Sequence, residues 1–243
     1  MTPQPGYTIF PLGDAAATLD LGNSINPFLN DKVIATRNWM LANPIAGQLD
    51  IIVAYSSLTI IYDPAAVRKS LPAAATVFEQ VKGHLATAFE KSVLPQESDA
   101  PVIRIPVCYA AEFAPDLPLL SAEKSLTMQE IIDLHTAPVY RVYTIGFLPG
   151  FCYLASLHDK LVTARKQAPV PVAAGSVGIA GAQTGIYPMN SPGGWNIIGR
   201  TPIQLFNASS EGLVKLKPGD RVQFYSISKK EMRIGWLEEG LIG

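Results

Sequence analysis

The sequence is poor in charged residues, and this shortage excludes several kinds of partner. Charged residues make up 16% of the 243 positions, and the formal net charge is −1. Since no dense run of Lys and Arg occurs, the chain lacks the electrostatic surface that nucleic acid or an anionic membrane requires. We therefore expect proteins and small molecules as partners, and neither nucleic acid nor membrane.

Long apolar runs are missing too, although 48% of the residues are hydrophobic. No segment approaches the roughly eighteen apolar residues of a membrane-spanning helix. The N-terminus, MTPQPGYTIF, lacks the basic region and the apolar run of a secretory signal. These absences favour a cytoplasmic globular protein.

Cysteine and histidine are equally scarce. Cys108 and Cys152 are too few for a disulfide framework and have no zinc-type spacing, so we expect two buried thiols. His84, His135 and His158 do not pair with a second ligand three or four residues away. The sequence therefore predicts no metal site.

Standard catalytic and nucleotide-binding loops are absent. The glycine-rich segments contain no GxxxxGK[ST] loop, and GSVGIAG lacks the GxGxxG spacing. A GxSxG nucleophile elbow does not occur either. The catalytic residues consequently stay unknown at this stage.

The first 96 residues predict a small N-terminal α/β sandwich domain. Turn residues and periodicity place its elements as follows: strands at 7–12 and 15–21, a helix from Asn26-Pro27 to about Asn43-Pro44, a hairpin at 50–63, and a helical segment from Asp63-Pro64 with an apolar stripe over 77–89. The polar, proline-flanked stretch at 94–101 marks a linker, and we set the domain boundary between residues 96 and 97.

Residues 97–243 predict a compact β-barrel or sandwich, so the fold class is α+β. VIRIPVCY reads as a strand, and a capping box at Thr127 and Glu130 precedes a helix at 128–135, after which we expect little helix. Short β-rich runs then alternate with turns: VYRVYTIGF, GSVGIA, TGIYPM, NIIG, PIQLF and RVQFYSI.

Nine of the nineteen glycines fall within residues 146–202, among aromatic and uncharged polar side chains. Because glycine is costly to order, such density indicates a backbone shaped for a site. The accompanying donors, acceptors and cations suit a polar ligand with a carboxylate or an amide. They are Tyr143, Arg165, Ser176, Gln183, Thr184, Tyr187, Asn190, Ser191, Trp195, Asn196 and Arg200, with His135 as a further candidate. The alternative is that Tyr187 and Trp195 belong to the barrel core and the glycines turn corners.

Three motifs carry a resemblance to a known family. They are GFLPGFCYLASL at 146–157, AGSVGIAGAQTGIYPMNSPGGWNIIGRTPIQLF at 174–206 and KPGDRVQF at 217–224. The chain resembles the B subunit of bacterial 5-oxoprolinase, a family also known as the kinase-inhibitor (KipI) or allophanate hydrolase subunit 1 family. The similarity is dense in the C-terminal half and looser at YTIFPLGDAA, LHT and IRIPVCY.

The resemblance implies an α+β N-terminal domain and a C-terminal cyclophilin-like β-barrel. It further implies that the protein acts with two partners, the A and C subunits of 5-oxoprolinase. Together they would catalyse the ATP-dependent opening of 5-oxoproline to L-glutamate. Since the chain has no phosphate loop, ATP would bind wholly or partly on a partner.

Two departures from the family pattern bear on the substrate. Relatives usually read GFPYL where this chain has Cys152, and they usually carry two Pro-Arg pairs where it has Ala164-Arg165 and Pro169-Val170. One of two expected arginines is therefore missing, and the substrate need not be 5-oxoproline itself.

Two further functions stay open. A family member of the KipI type would inhibit autophosphorylation of a sensor histidine kinase, which requires an exposed apolar patch rather than a concave pocket. Hydrolysis of allophanate or a urea-derived amide is the weaker hypothesis, since the chain lacks the Ser/Lys constellation of an amidase.

Overall fold

The computed structural model describes residues 6–70, 76–94, 101–208 and 215–238. The chain divides into two compact units, residues 1–99 and 100–243, and each has its own hydrophobic core. The boundary expected between residues 96 and 97 lies outside the described residues.

The first unit is a four-stranded antiparallel sheet with helices packed against it. Its elements are β1 (Thr8–Pro11), β2 (Ala16–Asp20), α1 (Pro27–Ala42), β3 (Gln48–Val53), β4 (Ser57–Tyr62), α2 (Pro64–Lys69) and α3 (Val77–Lys91). The strand order is β1-β2-β4-β3, and α1 packs on α3. The expected strands, first helix and hairpin are confirmed.

Local capping explains where these helices begin. Asn26 accepts hydrogen bonds from the first-turn amides of α1, and Pro27 supplies a preset φ at its start. The segment expected from Asp63 is two helices rather than one, because Asp63 caps α2 and Thr76 caps α3 separately.

The second unit is dominated by strands. Its elements are β5 (Ile103–Val107), α4 (Leu117–Lys124), α5 (Met128–Thr136), β6 (Tyr140–Ile145), β7 (Cys152–Ala155), β8 (Val170–Val172), β9 (Ser176–Ala180), β10 (Gln183–Ile186), β11 (Ser191–Gly193), β12 (Asn196–Arg200), β13 (Arg221–Ser226) and α6 (Lys229–Glu238), with a 3₁₀ turn at Asp159–Leu161. The expected capping box of α5 is confirmed, because the Thr127 and Glu130 side chains each bind the other's backbone N–H.

Seven strands of this unit form a barrel-like sheet in the order β12-β9-β10-β7-β6-β13-β5. Its two ends meet where Cys108 follows β5 and Arg200 ends β12. The two residues exchange backbone hydrogen bonds of 2.8 and 3.0 Å. At this closure a Cβ on Gly199 would lie 2.6 Å from Val107 Cγ1, so the strands can approach only where β12 carries a glycine.

Little helix follows α5, as expected, but one helix and one strand of this unit differ from the expected elements. The helix α6 was not expected, although Ser228 and Glu231 form a capping box at its start that the sequence does display. Residues 202–206 form no strand; Pro202 has no N–H for a ladder and packs beneath Gly235 of α6.

Cys108 and Cys152 are free and buried, as expected. Within the described ranges, no group of three or more His, Cys, Asp or Glu side chains is arranged to hold a metal ion. None of the helices in the described part of the chain has the length and apolarity to cross a membrane.

Candidate functional site

A cavity of about 790 Å³ opens in the second unit, within the glycine-rich stretch. Four chain segments surround it: the approach to β7, the loop before β8, the turn between β9 and β10, and the run from Tyr187 through β11 to Trp195. Of the candidate residues, five lie in its lining: Arg165, Gln183, Tyr187, Ser191 and Trp195. The cavity is therefore built from residues far apart in sequence and joined by the barrel.

One side of the cavity is an aromatic wall, formed by Phe151, Tyr153, Tyr187 and Trp195. The Phe151 ring is at its centre, with its centroid 4.8 Å from Tyr153, 5.1 Å from Tyr187 and 5.4 Å from Trp195. All three pairs meet edge to face, the arrangement that ring quadrupoles favour. Phe151 and Tyr187 are each 1% exposed and form the core of the wall, so within it the apolar surface that a ligand would meet belongs to the half-buried Tyr153 and Trp195.

The glycines of this stretch are required by the wall. A Cβ on Gly193 would lie 2.5 Å from the Tyr187 hydroxyl oxygen and 2.7 Å from two ring carbons. A Cβ on Gly185 would lie 2.8 Å from the Cys152 carbonyl oxygen and 3.0 Å from the tip of Phe151. Both positions are tolerated only without a side chain, because the aromatic rings occupy that space.

Arg165 and Lys166 bring positive charge to the cavity, but in different states. Lys166 Nζ lies 2.7 Å from Asp116 Oδ2, so its charge is neutralised. Arg165 is exposed and has no salt bridge within the described ranges. Burial raises the pKa values of Tyr153 and Tyr187, and the charge of Arg165 opposes that rise.

One backbone and one side-chain hydrogen bond hold the loop that carries Arg165. The Lys166 N–H donates to the Gly194 carbonyl at 2.7 Å, and Asn196 Nδ2 donates to the Ala164 carbonyl at 2.9 Å. The Arg165 guanidinium lies close enough to the Tyr153 and Tyr187 hydroxyls to affect their pKa values. An available cation next to an apolar surface is suited to a small carboxylate.

The neutral polar side chains of the lining include Gln167, in the loop before β8, Gln183, at the start of β10, and Ser191, at the start of β11. Ser191 Oγ is buried and has no hydrogen-bond partner within the described residues. Ser191 therefore lines the cavity with a hydroxyl that the described residues leave unpaired.

His135 and Thr184 lie in the barrel core rather than in the cavity lining. The Tyr109 hydroxyl is 2.7 Å from His135 Nδ1, and His135 Nε2 is 2.9 Å from Thr184 Oγ1. Because Thr184 donates its one hydroxyl proton to the Gly178 carbonyl, it accepts from Nε2–H, and Nδ1 accepts from Tyr109. Burial lowers the pKa of His135 to about 3, so the ring is neutral. It connects Tyr109 to Thr184 through hydrogen bonds within the core.

Tyr143, Ser176 and Arg200 also lie outside the lining. Tyr143 and Ser176 are buried in the barrel, and Arg200 Nε donates to the Ala174 carbonyl at 2.7 Å. Asn190 accepts from the Ala174 N–H at 2.8 Å. Arg200 therefore lies outside this cavity, and its Nε bond fixes the turn before β9.

Other lining residues were not singled out as site residues from the sequence: Phe147, Tyr153, Lys166 and Gln167. The signal that could have identified Tyr153 was the alternation of side-chain direction along an extended chain. Phe151 and Tyr153 are two residues apart and so lie on the same face. Phe147 is 63% exposed at the rim, with a φ of +69°. Nothing in the sequence pattern identified that conformation.

Comparison with known families gives one match that covers most of the chain. The family described as "Carboxyltransferase domain, subdomain C and D" matches residues 7–216. Among curated proteins, the chain is similar to the B subunit of 5-oxoprolinase from Bacillus subtilis strain 168. The two are 40% identical over 227 residues, which is 93% of this chain and 95% of the relative.

Solved structures share the fold. The crystal structure of TTHA0988 superposes with a TM-score of 0.74 at 34% identity, covering 88% of this chain and 40% of that one. The Kluyveromyces lactis urea amidolyase gives a TM-score of 0.76 at 14% identity, covering 95% of this chain and 15% of that one. This second likeness concerns the fold alone.

Proposed function

The chain belongs to the family of carboxyltransferase domains, subdomain C and D, and from this premise we propose that it is the B subunit of a multi-subunit, ATP-dependent 5-oxoprolinase. The complex would open 5-oxoproline to L-glutamate. The 40% identity to the Bacillus subtilis protein over nearly the full length of both chains supports the assignment. The observation that carries it is the cavity in which Arg165 lies beside the aromatic wall.

The chemistry of 5-oxoproline matches this arrangement. The molecule is a small ring that carries one carboxylate and one lactam amide. A guanidinium presents a planar fork to a carboxylate, and Arg165 has no competing salt bridge in the described part of the chain. The saturated ring would pack on the aromatic wall, and the cavity volume of about 790 Å³ falls within the range of small-molecule sites.

The remainder of the assignment concerns the complex. Lactam hydrolysis needs an activated carbonyl and a water molecule, and we infer that ATP provides the activation from a site wholly or partly on a partner protein. The A and C subunits of 5-oxoprolinase are the proposed partners, in the cytoplasm. We also propose that the barrel, with its closure at Cys108 and Arg200, is of the cyclophilin-like type.

A defined assay tests the proposal. The chain is mixed with the A and C subunits, ATP and 5-oxoproline, and glutamate is measured with and without the chain. We expect omission to abolish glutamate formation; an unchanged yield would refute the proposal.

Arg165→Gln then tests the site within that assay. Losing a charged hydrogen bond should weaken 5-oxoproline binding by about ten- to a hundredfold. The matched control is Arg233→Gln, since Arg233 is an exposed arginine of the same unit outside the cavity lining. Equal effects of the two variants would show that the carboxylate binds elsewhere.

The kinase-inhibitor function is the second proposal, and the geometry favours it less. It calls for an exposed apolar patch, whereas four of the aromatic side chains here form one side of a concave cavity. Phe147 is the exposed aromatic residue at the rim. Glutamate formation that does not depend on this chain would favour a regulatory role over the enzymatic one. The likeness to urea amidolyase is one of fold and does not support allophanate hydrolysis.

A further inference from the structure

The strand register of the barrel turns the side chain of Gln183 toward the cavity. Gln183 begins β10, and the next side chain, Thr184, is completely buried in the barrel core. Because successive side chains of a strand alternate between its two faces, Gln183 and Gly185 share the opposite face. A Cβ on Gly185 would lie 3.0 Å from Phe151 Cζ and 3.1 Å from Trp195 Cζ3. This face of β10 therefore meets the aromatic wall, and Gln183 lines the cavity beside it.

The carboxamide of Gln183 is accessible and unengaged. The residue is half-buried, and its side chain makes no hydrogen bond to any other residue that the structure describes. Neither of its two polar atoms is fully buried. Its cross-strand neighbour, Ala180, and the turn residue Gly181 are small and line the cavity too. A ligand can therefore reach this amide in a place partly withdrawn from water, where a hydrogen bond is stronger than in open solvent.

The chain pairing brings Arg165 to the same end of β9 as Gln183. Thr163 and Gly181 exchange backbone hydrogen bonds of 2.6 and 3.4 Å in an antiparallel bridge. From Thr163 the chain toward Arg165 consequently runs back along the end of β9. Gln183 pairs with Ala180 at that end, on β10. The guanidinium and the carboxamide thus originate near one strand end and line one cavity.

A carboxamide side chain is complementary to a lactam. A five-membered lactam holds its amide in the cis form, so that its N–H and its carbonyl oxygen lie side by side on one edge. A glutamine side chain also presents an N–H donor and a carbonyl acceptor side by side. The two groups can form a pair of parallel hydrogen bonds, as glutamine does with the adjacent donor and acceptor of an adenine edge.

We propose that Gln183 is a specificity-determining residue that recognises the lactam amide of the substrate through such a pair of hydrogen bonds, while Arg165 holds the carboxylate. This inference rests on the proposed function. The carboxylate of 5-oxoproline is on the ring carbon next to the lactam nitrogen, so the groups that bind the two must be close together. Gln167 is another carboxamide of the lining, but it is exposed in the loop before β8, where water competes for its hydrogen bonds.

The test compares three probes that share the ring size and the carboxylate. They are 5-oxoproline, its lactone analogue, which lacks the N–H, and cyclopentanecarboxylate, which lacks the whole amide. Affinities are measured by calorimetry on the full chain with the A and C subunits and a nonhydrolysable analogue of ATP. Wild type should bind 5-oxoproline most tightly and the carbocyclic acid least, because a site that hydrogen-bonds its ligand rejects analogues without the matching group.

Gln183→Met keeps the length of the side chain and removes the amide. It should reduce the preference for 5-oxoproline over the carbocyclic acid about five- to a hundredfold, the loss of two hydrogen bonds, and leave the carbocyclic affinity unchanged. Gln183→Ala should change the preference in the same way. An equal loss of affinity for all three probes in both variants would show that Gln183 only shapes the cavity, and would overturn the inference.

Two other glutamines complete the test. Gln129→Met is the matched control, since Gln129 is exposed on α5 outside the cavity lining, and it should leave the three affinities unchanged. Gln167→Met examines the competing carboxamide. If that variant loses the preference and Gln183→Met keeps it, the lactam binds at Gln167 and the inference is wrong.

Failure of this inference differs from failure of the proposed function. If glutamate formation requires the chain and Gln183→Met keeps the wild-type preference, the inference is wrong and the proposed function stands. If the wild-type complex binds no 5-oxoproline, or forms glutamate equally well without the chain, the proposed function is refuted, and this inference with it.

Discussion

Replacing His135 should change how the stability of the second unit depends on pH. His135 is completely buried, stacks on Phe224 with ring centroids 4.7 Å apart, and uses both ring nitrogens in hydrogen bonds to Tyr109 and Thr184. Desolvation lowers its pKa from 6.5 to about 3. The folded protein therefore keeps the ring neutral at pH values where the unfolded chain protonates it.

The sign and size of the change in unfolding free energy follow from the linkage between proton binding and unfolding. Since the folded pKa lies below the unfolded one, the unfolded chain binds more protons in acid. The stability contributed by the neutral ring is complete above about pH 6.5 and is lost as the pH falls toward 3. Between pH 7 and pH 5 the free energy of unfolding should fall by about 2 kcal/mol through this group.

The variant His135→Gln removes the titrating ring while keeping a donor and an acceptor. Its absolute stability will be lower, but the fall of about 2 kcal/mol between pH 7 and pH 5 should disappear from it. Urea unfolding, followed through Trp195 in a chain with Trp39 and Trp236 replaced by Phe, provides the measurement.

His158→Gln controls for the loss of a histidine that is exposed. If wild type and His135→Gln lose the same free energy between the two pH values, His135 is not the buried neutral group described here. A difference of the opposite sign would refute the burial argument as well.

Two other outcomes follow from the packing. Gly193→Ala should cost about 1–3 kcal/mol of stability and disturb ligand binding, because its Cβ would lie 2.5 Å from the Tyr187 hydroxyl oxygen. Gly194→Ala, whose nearest contact is 3.8 Å away, is the matched control, and equal unfolding midpoints for the two variants would contradict the reasoning. Burial raises the pKa of Cys152 to about 12, so at pH 8 the thiol should resist iodoacetamide until the protein is unfolded in urea. Rapid alkylation of the Cys152 peptide in the folded protein, detected by mass spectrometry, would show that the thiol is accessible.

Local signals were sufficient for the elements that begin and end with strong caps or turns. Asn26-Pro27 and the pair Thr127 and Glu130 start helices where the sequence predicts them, since a cap involves groups at most three or four residues apart. The helix α6 carries the same kind of cap at Ser228, yet its mostly polar sequence gave no periodic stripe to draw attention to it.

The position of the cavity along the chain was predictable, but the set of side chains that line it was not. Glycine and aromatic density pointed to residues 146–202, and Arg165, Gln183, Tyr187, Ser191 and Trp195 do meet at the cavity. Arg200 and His135 looked equally suitable by residue type. The sequence could not show that Arg200 is bound to the Ala174 carbonyl or that His135 is hydrogen-bonded within the core.

The sequence by itself determined that this is a globular protein with the motifs of a recognisable family. The features that show this are the nearly neutral charge, the few cysteines, the locally capped helices and the glycine-rich stretch that carries the motifs. Tertiary structure alone decided which side chains share a cavity. Closure of the barrel at Cys108 and Arg200 sets which face of each strand is turned inward. Among the described residues, Arg165 has no salt bridge and Ser191 Oγ has no hydrogen-bond partner. Those states depend on neighbours distant in sequence, and spacing along the chain does not encode them.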